Sequence, residues 1–237
     1  MKALVFRHSL AREAVSAIGG RVDRHAFVSR LAPVRLEDVE ELPLPADDWV
    51  RVETTFSGLC GSDVKQILLN GSRDNPLTAL VSFPHVLGHE VVGRRADTGQ
   101  RVVLNPWLSC TPRGIDPPCA ACQAGRYPWC RNFRSGDLPV SIHIGNCAAG
   151  RRGARRAWTP LYFKELHVVG SNGFGVEDVG GVAKHAMEHY FDFIADGLDL
   201  TPVITHRFPL ERWDQAVLAL KNSRRSGAVK VLLDPAR

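Results

Sequence analysis

The chain has 237 residues, of which 44% are hydrophobic and 23% charged, so it is long enough for one large domain or two small ones and can bury a core. The net charge of +5 suits a soluble enzyme or a binder of acidic ligands and singles out neither. No run of about 18 apolar residues exists to span a membrane, and Arg7, His8 and Arg12 interrupt the apolar opening before a secretion signal could form. The expectation is a cytoplasmic protein, in which the six cysteines serve as metal ligands or free thiols rather than disulfides.

In chain order, Lys2–Phe6 reads as a first strand and Trp49–Phe56 as a second. Ser57-Gly58-Leu59-Cys60-Gly61 makes a turn, and Ser62 is placed to cap a short helix carrying Val64, Ile67 and Leu68 on one face. Val86–Arg94 and Arg101–Leu104 read as strands joined by the turn Asp97-Thr98-Gly99. Glu177–Asp196 reads as a helix with Val182, Ala186, Tyr190 and Phe193 inward. Pro209 suits a helix start, followed by Leu210, Trp213, Ala216, Val217 and Leu220 at helical spacing, and Ala228–Leu233 is a last strand. Short strands with frequent Gly and Pro turns predict a partly closed β-barrel.

Residues 107–134 carry no apolar period and are rich in Cys, Pro, Gly and Arg, so they need a staple other than a core. Cys110, Cys119, Cys122 and Cys130 supply one, because four thiolates wrap zinc tetrahedrally. Such a metal is structural, since four protein ligands leave no open position. Two disulfides are the competing reading, disfavoured in a cytosolic chain. Cys60 at a strand end and His89 at a strand start offer two ligands for a second zinc, although a lone Cys is more often a small core residue.

The run Gly58-Leu59-Cys60-Gly61-Ser62-Asp63, then Leu87-Gly88-His89-Glu90-Val91-Val92-Gly93, then the cysteine lobe, resembles the zinc-dependent medium-chain alcohol dehydrogenase family. The resemblance covers Met1 to about Gly150 and resumes from Trp158 to Leu233. It departs at the Cys110–Cys119 gap, which is longer than the family's and loops out Thr111–Pro118. It implies a catalytic-type zinc on Cys60 and His89, with Glu90 beside the metal as an occasional ligand. Ser62 would pass the proton from the substrate hydroxyl and Asp63 would orient His89. The zinc would act as a Lewis acid on a small-molecule alcohol.

The family's nicotinamide cofactor sits on a Rossmann domain with a Gly-x-Gly-x-x-Gly fingerprint. That fingerprint is absent, since Gly173-Phe174-Gly175 lacks the third glycine. The stretch between Cys147 and Trp158 is short, whereas a domain needs at least about 50 residues. NAD(P) binding is therefore not expected. The same loss removes the segment that often gives the third catalytic-zinc ligand, leaving Glu90 or a newcomer such as His143 or Cys147. His185-Ala186-Met187-Glu188-His189 matches the inverted zincin pattern, but a short motif on a helix face more often holds two ordinary histidines. Arg151, Arg152, Arg155 and Arg156 read as a solvated linker rather than a nucleic-acid site.

The expected fold is α+β and strand-rich: a GroES-like, partly open β-barrel with flanking helices and a zinc-stapled cysteine lobe, without a Rossmann domain. Residues 1–150 form the barrel and lobe, 151–157 a basic linker where the nucleotide domain is missing, and 158–237 the segment completing the catalytic domain. Three functions follow. One is a truncated dehydrogenase relative without redox activity of its own. Another is a zinc enzyme repurposed for hydrolysis, hydration or elimination. The last is a non-catalytic module that meets an oligomer mate or protein partner through the surface the missing domain would have covered.

Overall fold

The computed structural model describes residues 1–44, 47–70, 84–107, 109–132 and 174–236. The linker arginines, His143, Cys147 and the resumed segment from Trp158 to Ser171 lie outside the described residues.

Strand β1 (Lys2–Phe6) buries Ala3, Leu4, Val5 and Phe6, a continuous apolar run of the kind a strand covered on both faces requires. Helix α1 (Leu10–Gly19) follows, then a single 3-10 turn at Arg24–Val28, then β2 (Val34–Asp38), which pairs antiparallel with β1. Strand β3 (Val52–Gly58) leads into helix α2 (Gly61–Ile67). The short β4 (His85–Val86) pairs with the other edge of β1. Strands β5 (Glu90–Arg95) and β6 (Arg101–Val103) form a hairpin around the turn at 97–99. The cysteine lobe contains one helical turn, α3 (Ala120–Gln123).

A hairpin of β7 (Val176–Val179) and β8 (Val182–His185) comes next, then helix α4 (Ala186–Ala195). The chain finishes with β9 (Ile204–Pro209), α5 (Trp213–Lys221), the turn α6 (Ser223–Ser226) and β10 (Lys230–Asp234). One sheet has the order β2-β1-β4 and the other the order β6-β5-β3-β10-β9, and neither closes on itself. Only the β9–β10 pairing in these sheets is parallel, with α5 as the crossover.

The two sheets share one core. Leu4, Phe6 and Val34 from the first meet Leu59, Val231 and Leu233 from the second, and Ile67 of α2 with Trp213, Ala216 and Val217 of α5 close the space between them. Val231 and Leu233 are buried while Lys230, Leu232 and Asp234 are half-buried, the period-2 pattern of a strand with one face inward. Among the described residues no helix is long and apolar enough to cross a membrane.

Three local expectations are corrected. Cys60, not Ser62, caps α2. The strand predicted over Val86–Arg94 is two strands, interrupted at Leu87-Gly88-His89, and the break is what turns His89 out of the ladder. The helix predicted over Glu177–Asp196 begins only at Ala186. Its first half is the β7–β8 hairpin, because Gly180 (φ 63°) and Gly181 (φ 85°) both take the left-handed conformation that a two-residue hairpin turn demands. The inward face expected for that helix is also absent: Val182, Tyr190 and Phe193 are exposed, and His189 is the buried residue.

Candidate metal centres

The first centre grows from the end of β3. Leu59 N–H donates to Val231 O at 3.0 Å, which extends the β3–β10 pairing and brings the chain to Cys60 at the α2 N-cap. Asp63 occupies the third helical position, and its Oδ2 accepts from Cys60 N–H at 3.0 Å, the reciprocal half of a capping box. Asp63 is fully buried. Its Oδ1 also accepts from Gly88 N–H at 3.4 Å and lies 3.5 Å from His89 Nδ1. One carboxylate thus fixes both segments of the site, the β3–α2 corner and the β4–β5 turn.

Cys60 and His89 are brought together as hydrogen-bonding neighbours. That bond to His89 lowers the Cys60 thiol below its ordinary range, opposing burial, with help from the Ser62 hydroxyl and N–H. Burial pulls the His89 pKa down, but Asp63 and Cys60 outweigh it and raise it to about 10. A metal requires the neutral ring and the thiolate, so binding must expel the His89 proton. The raised His89 also predicts a pH dependence for metal-free protein. Its protonated form adds stability that is fully present below its unfolded pKa of 6.5 and is lost as pH rises to about 10. Cys60, lowered by the same contact, contributes in the opposite sense up to its unfolded value of 9.0. Chelator-treated Cys60→Ala protein, free of that opposing titration, should therefore lose urea resistance as pH rises above 7, and adding His89→Gln should flatten that slope; an equal slope would contradict the assignment.

Glu90 takes a different direction. It pairs across the sheet with Gly58, and Lys230 Nζ donates to its Oε2 at 2.6 Å. Among the described residues it does not join Cys60 and His89 in a group of three metal-ligand atoms. A Cβ on Gly58 would stand 2.3 Å from Glu90 Oε2 and 3.1 Å from its Cβ. Gly58→Ala should therefore displace Glu90 and break its bond to Lys230, at a cost of about 1–3 kcal/mol from overpacking. Because the ion pair is a third exposed it adds little itself, so Lys230→Met alone should shift the urea midpoint far less than Gly58→Ala. Sequence reasoning missed Lys230, and only its place in the last strand could have hinted at it.

The second centre is the cysteine lobe. The sulfurs of Cys110, Cys119, Cys122 and Cys130 all lie within 4.8 Å of one another, and Cys110 and Cys130 are 3.6 Å apart. Zinc–sulfur bonds of about 2.3 Å give a tetrahedron with edges of about 3.8 Å, so the four donors fit zinc. Backbone geometry prepares them: Cys119 N–H donates to Cys110 Sγ at 3.4 Å, Arg131 N–H to Cys119 Sγ at 3.4 Å, and Asn132 Nδ2 to Cys110 Sγ at 3.3 Å. The N–H of Arg131, then that of Cys122, lowers the Cys119 pKa to about 6, and the N–H of Cys119 lowers Cys110. Burial raises Cys122 and pushes Cys130 up to about 12, with neighbouring thiolates adding to both. Two thiols ionise readily and two wait for a cation, as expected of thiolates crowded around an ion site. The expectation of four co-located cysteines is met despite the long Cys110–Cys119 loop, which turns at Thr111–Arg113.

The lobe rests on the β7–β8 hairpin. Val176 N–H donates to Gly125 O, Trp107 and Phe174 meet edge to face at 6.3 Å, and Tyr127 lies 6.0 Å from His185. This explains the inverted-zincin match. His185 is not on the helix but caps it, its Nδ1 accepting from Met187 N–H, while Glu188 accepts from His185 N–H at 3.0 Å. His189 Nε2 lies 3.1 Å from Glu177 O. The three residues act as a helix cap and a hairpin anchor, and the histidines do not share one helix face.

The profile of the alcohol dehydrogenase GroES-like domain matches residues 46–189, more than half of the chain. An uncharacterized zinc-type alcohol dehydrogenase-like protein of Haemophilus influenzae is 30% identical over 118 residues, 45% of this chain and 30% of that protein. Galactitol 1-phosphate 5-dehydrogenase of Escherichia coli K12 is 36% identical over 89 residues, 36% of this chain and 23% of that enzyme. Both alignments therefore span less than a third of the relative's length. Among solved structures, the alcohol dehydrogenase TADH from Thermus sp. ATN1 shares the fold, with a TM-score of 0.53 at 14% identity over 99% of each chain. The chain belongs to the alcohol dehydrogenase GroES-like family, as a relative of the zinc-type medium-chain alcohol dehydrogenases.

Proposed function

We propose that this chain is a zinc-holding alcohol dehydrogenase relative that does not bind NAD(P) by itself and has no redox activity of its own. The observation that carries the metal half is the four-sulfur cluster, whose spacing suits a structural zinc. Cys60 and His89, braced by Asp63, would hold a second zinc of the catalytic type, which supplies Lewis acidity toward an alcohol or water when bound. Ser62, two residues after Cys60, would take or give a proton there.

The cofactor half rests on sequence. Gly-x-Gly-x-x-Gly does not occur in the chain. The β9–α5–β10 unit has the strand–helix–strand order of a nucleotide site, yet its first turn reads Pro209-Leu210-Glu211-Arg212, with no glycine to admit a pyrophosphate. A second reading, a zinc site turned to hydration or hydrolysis, is favoured by the contact between Cys60 and His89, because a metal held there keeps positions open for water. Val179, Val182, Phe191 and Ile194, all exposed, support a partner or second copy on the hairpin side.

The test is zinc per chain by elemental analysis for wild type and Cys60→Ala, with NADH fluorescence titrated in the same samples. Two zincs falling to one, with no NADH bound, is the expected result. One zinc in both samples would remove the second metal site from the proposal. Tight NADH binding to wild type would overturn the cofactor half.

A further inference from the structure

A cleft remains at the C-terminal end of α5 that neither metal centre uses. It is lined by Asp23, Arg24 and His25 at the start of the 3-10 turn and by Lys221, Asn222, Arg224 and Arg225 where α5 ends and α6 begins. Sequence segments from opposite ends of the chain thus bring three arginines and a lysine to one concavity.

The single carboxylate of the cleft, Asp23, is occupied by His25, whose Nδ1 lies 2.7 Å from Asp23 Oδ1. Among the described residues, Arg24, Lys221, Arg224 and Arg225 have no carboxylate within ion-pair distance. Arg24 Nη1 instead donates to the neutral Asn222 Oδ1 at 2.7 Å, which holds its guanidinium across the cleft. Lys221 is half-buried, with Nζ 5.9 Å from the centre of the Phe27 ring. Burial and then the Arg24 charge both weigh against its ammonium form. Four basic side chains face a single carboxylate in this concave site, so they repel one another, and an anion that enters relieves that repulsion. Arg224 and Arg225, both exposed, offer the planar forks that grip phosphate oxygens in pairs.

We propose that this cleft binds a small phosphorylated molecule, with its phosphate held by Arg24, Lys221, Arg224 and Arg225. The site is independent of both zinc centres and stands or falls apart from them.

The experiment is calorimetric titration of the full chain with inorganic pyrophosphate at fixed ionic strength. Three proteins are compared: wild type, Arg224→Ala/Arg225→Ala, and the control Arg151→Ala/Arg152→Ala. The expected result is one site per chain, weakened at least about tenfold in the first variant and unchanged in the control. Arg224 and Arg225 are exposed, so an unaltered urea midpoint in their variant keeps the comparison clean. Lys221→Met should weaken binding as well. Absence of binding to wild type overturns the proposal. So does an equal loss in both double variants, which is what diffuse charge attraction would give. Preference of the same arginines for a single-stranded oligonucleotide over pyrophosphate would overturn it in favour of nucleic acid.

Discussion

Replacing Asp63 with alanine should cost the fold about 3–5 kcal/mol, because it leaves a buried site with three polar groups that have lost one shared acceptor. Cys60 N–H, Gly88 N–H and the His89 ring all face the carboxylate, which is itself fully buried, as is the ring for the most part. Urea unfolding reads the loss directly. Asp63→Asn keeps the shape and one accepting oxygen but not the charge, so it should fall between wild type and Asp63→Ala. The distinguishing measurement is the His89 titration, followed by NMR in metal-free protein. Without the carboxylate charge the ring loses the main interaction that raises it, and burial then drives its pKa down. An unchanged titration in Asp63→Asn would mean that Asp63 only packs.

The other large effect belongs to the cysteine lobe. Cys122→Ser should abolish zinc binding there and unfold the loop that contains it, while the two-sheet core survives. Among the described residues, Cys110, Cys122 and Cys130 form a buried cluster of their own, apart from the main core, with Ile115, Cys119 and Tyr127 packed against it. Nothing else in that cluster can offset the lost ion, and zinc in small domains contributes about 10–16 kcal/mol of apparent folding free energy at pH 7. Limited proteolysis is the measurement: cleavage at Arg113 or Arg126 should appear in the variant, or in wild type after chelation, and be suppressed by added zinc in wild type alone. Resistance in chelated wild type would show that the lobe stands without metal.

These sites differ in how far the chain announces them. The four cysteines could be read directly because their spacing and the lack of any apolar period in 107–134 leave a metal as the main source of order. The pairing of Cys60 with His89 needed the resemblance, since nothing in either segment alone says that β3 and β5 are neighbours. The last strand and α5 were legible from apolar spacing, and Trp213, Ala216 and Val217 are buried as that spacing requires. The β7–β8 hairpin was not. Its valines fit helical and strand periods alike over so short a span, and the deciding feature is the Gly180-Gly181 turn. The resemblance implied a place for Glu90 beside the metal. Alternation along β5 sends its carboxylate elsewhere, to Lys230, 140 residues away in the chain.

The insertion of β10 between β3 and β9 governs how this protein must fold. A strand from the first quarter of the chain, paired with β5 on one edge, finds its other neighbour in β10, and the closing loop contains nearly everything between. Such pairing carries a large loop-closure entropy before any contact repays it, so the five-stranded sheet should assemble slowly. On the ribosome, β3 waits with one edge bare until β10 has emerged, and during that interval it is open to pairing with other chains. Synthesis at reduced temperature or with a chaperone that shields strand edges should raise the soluble yield more than any added stability in the finished fold.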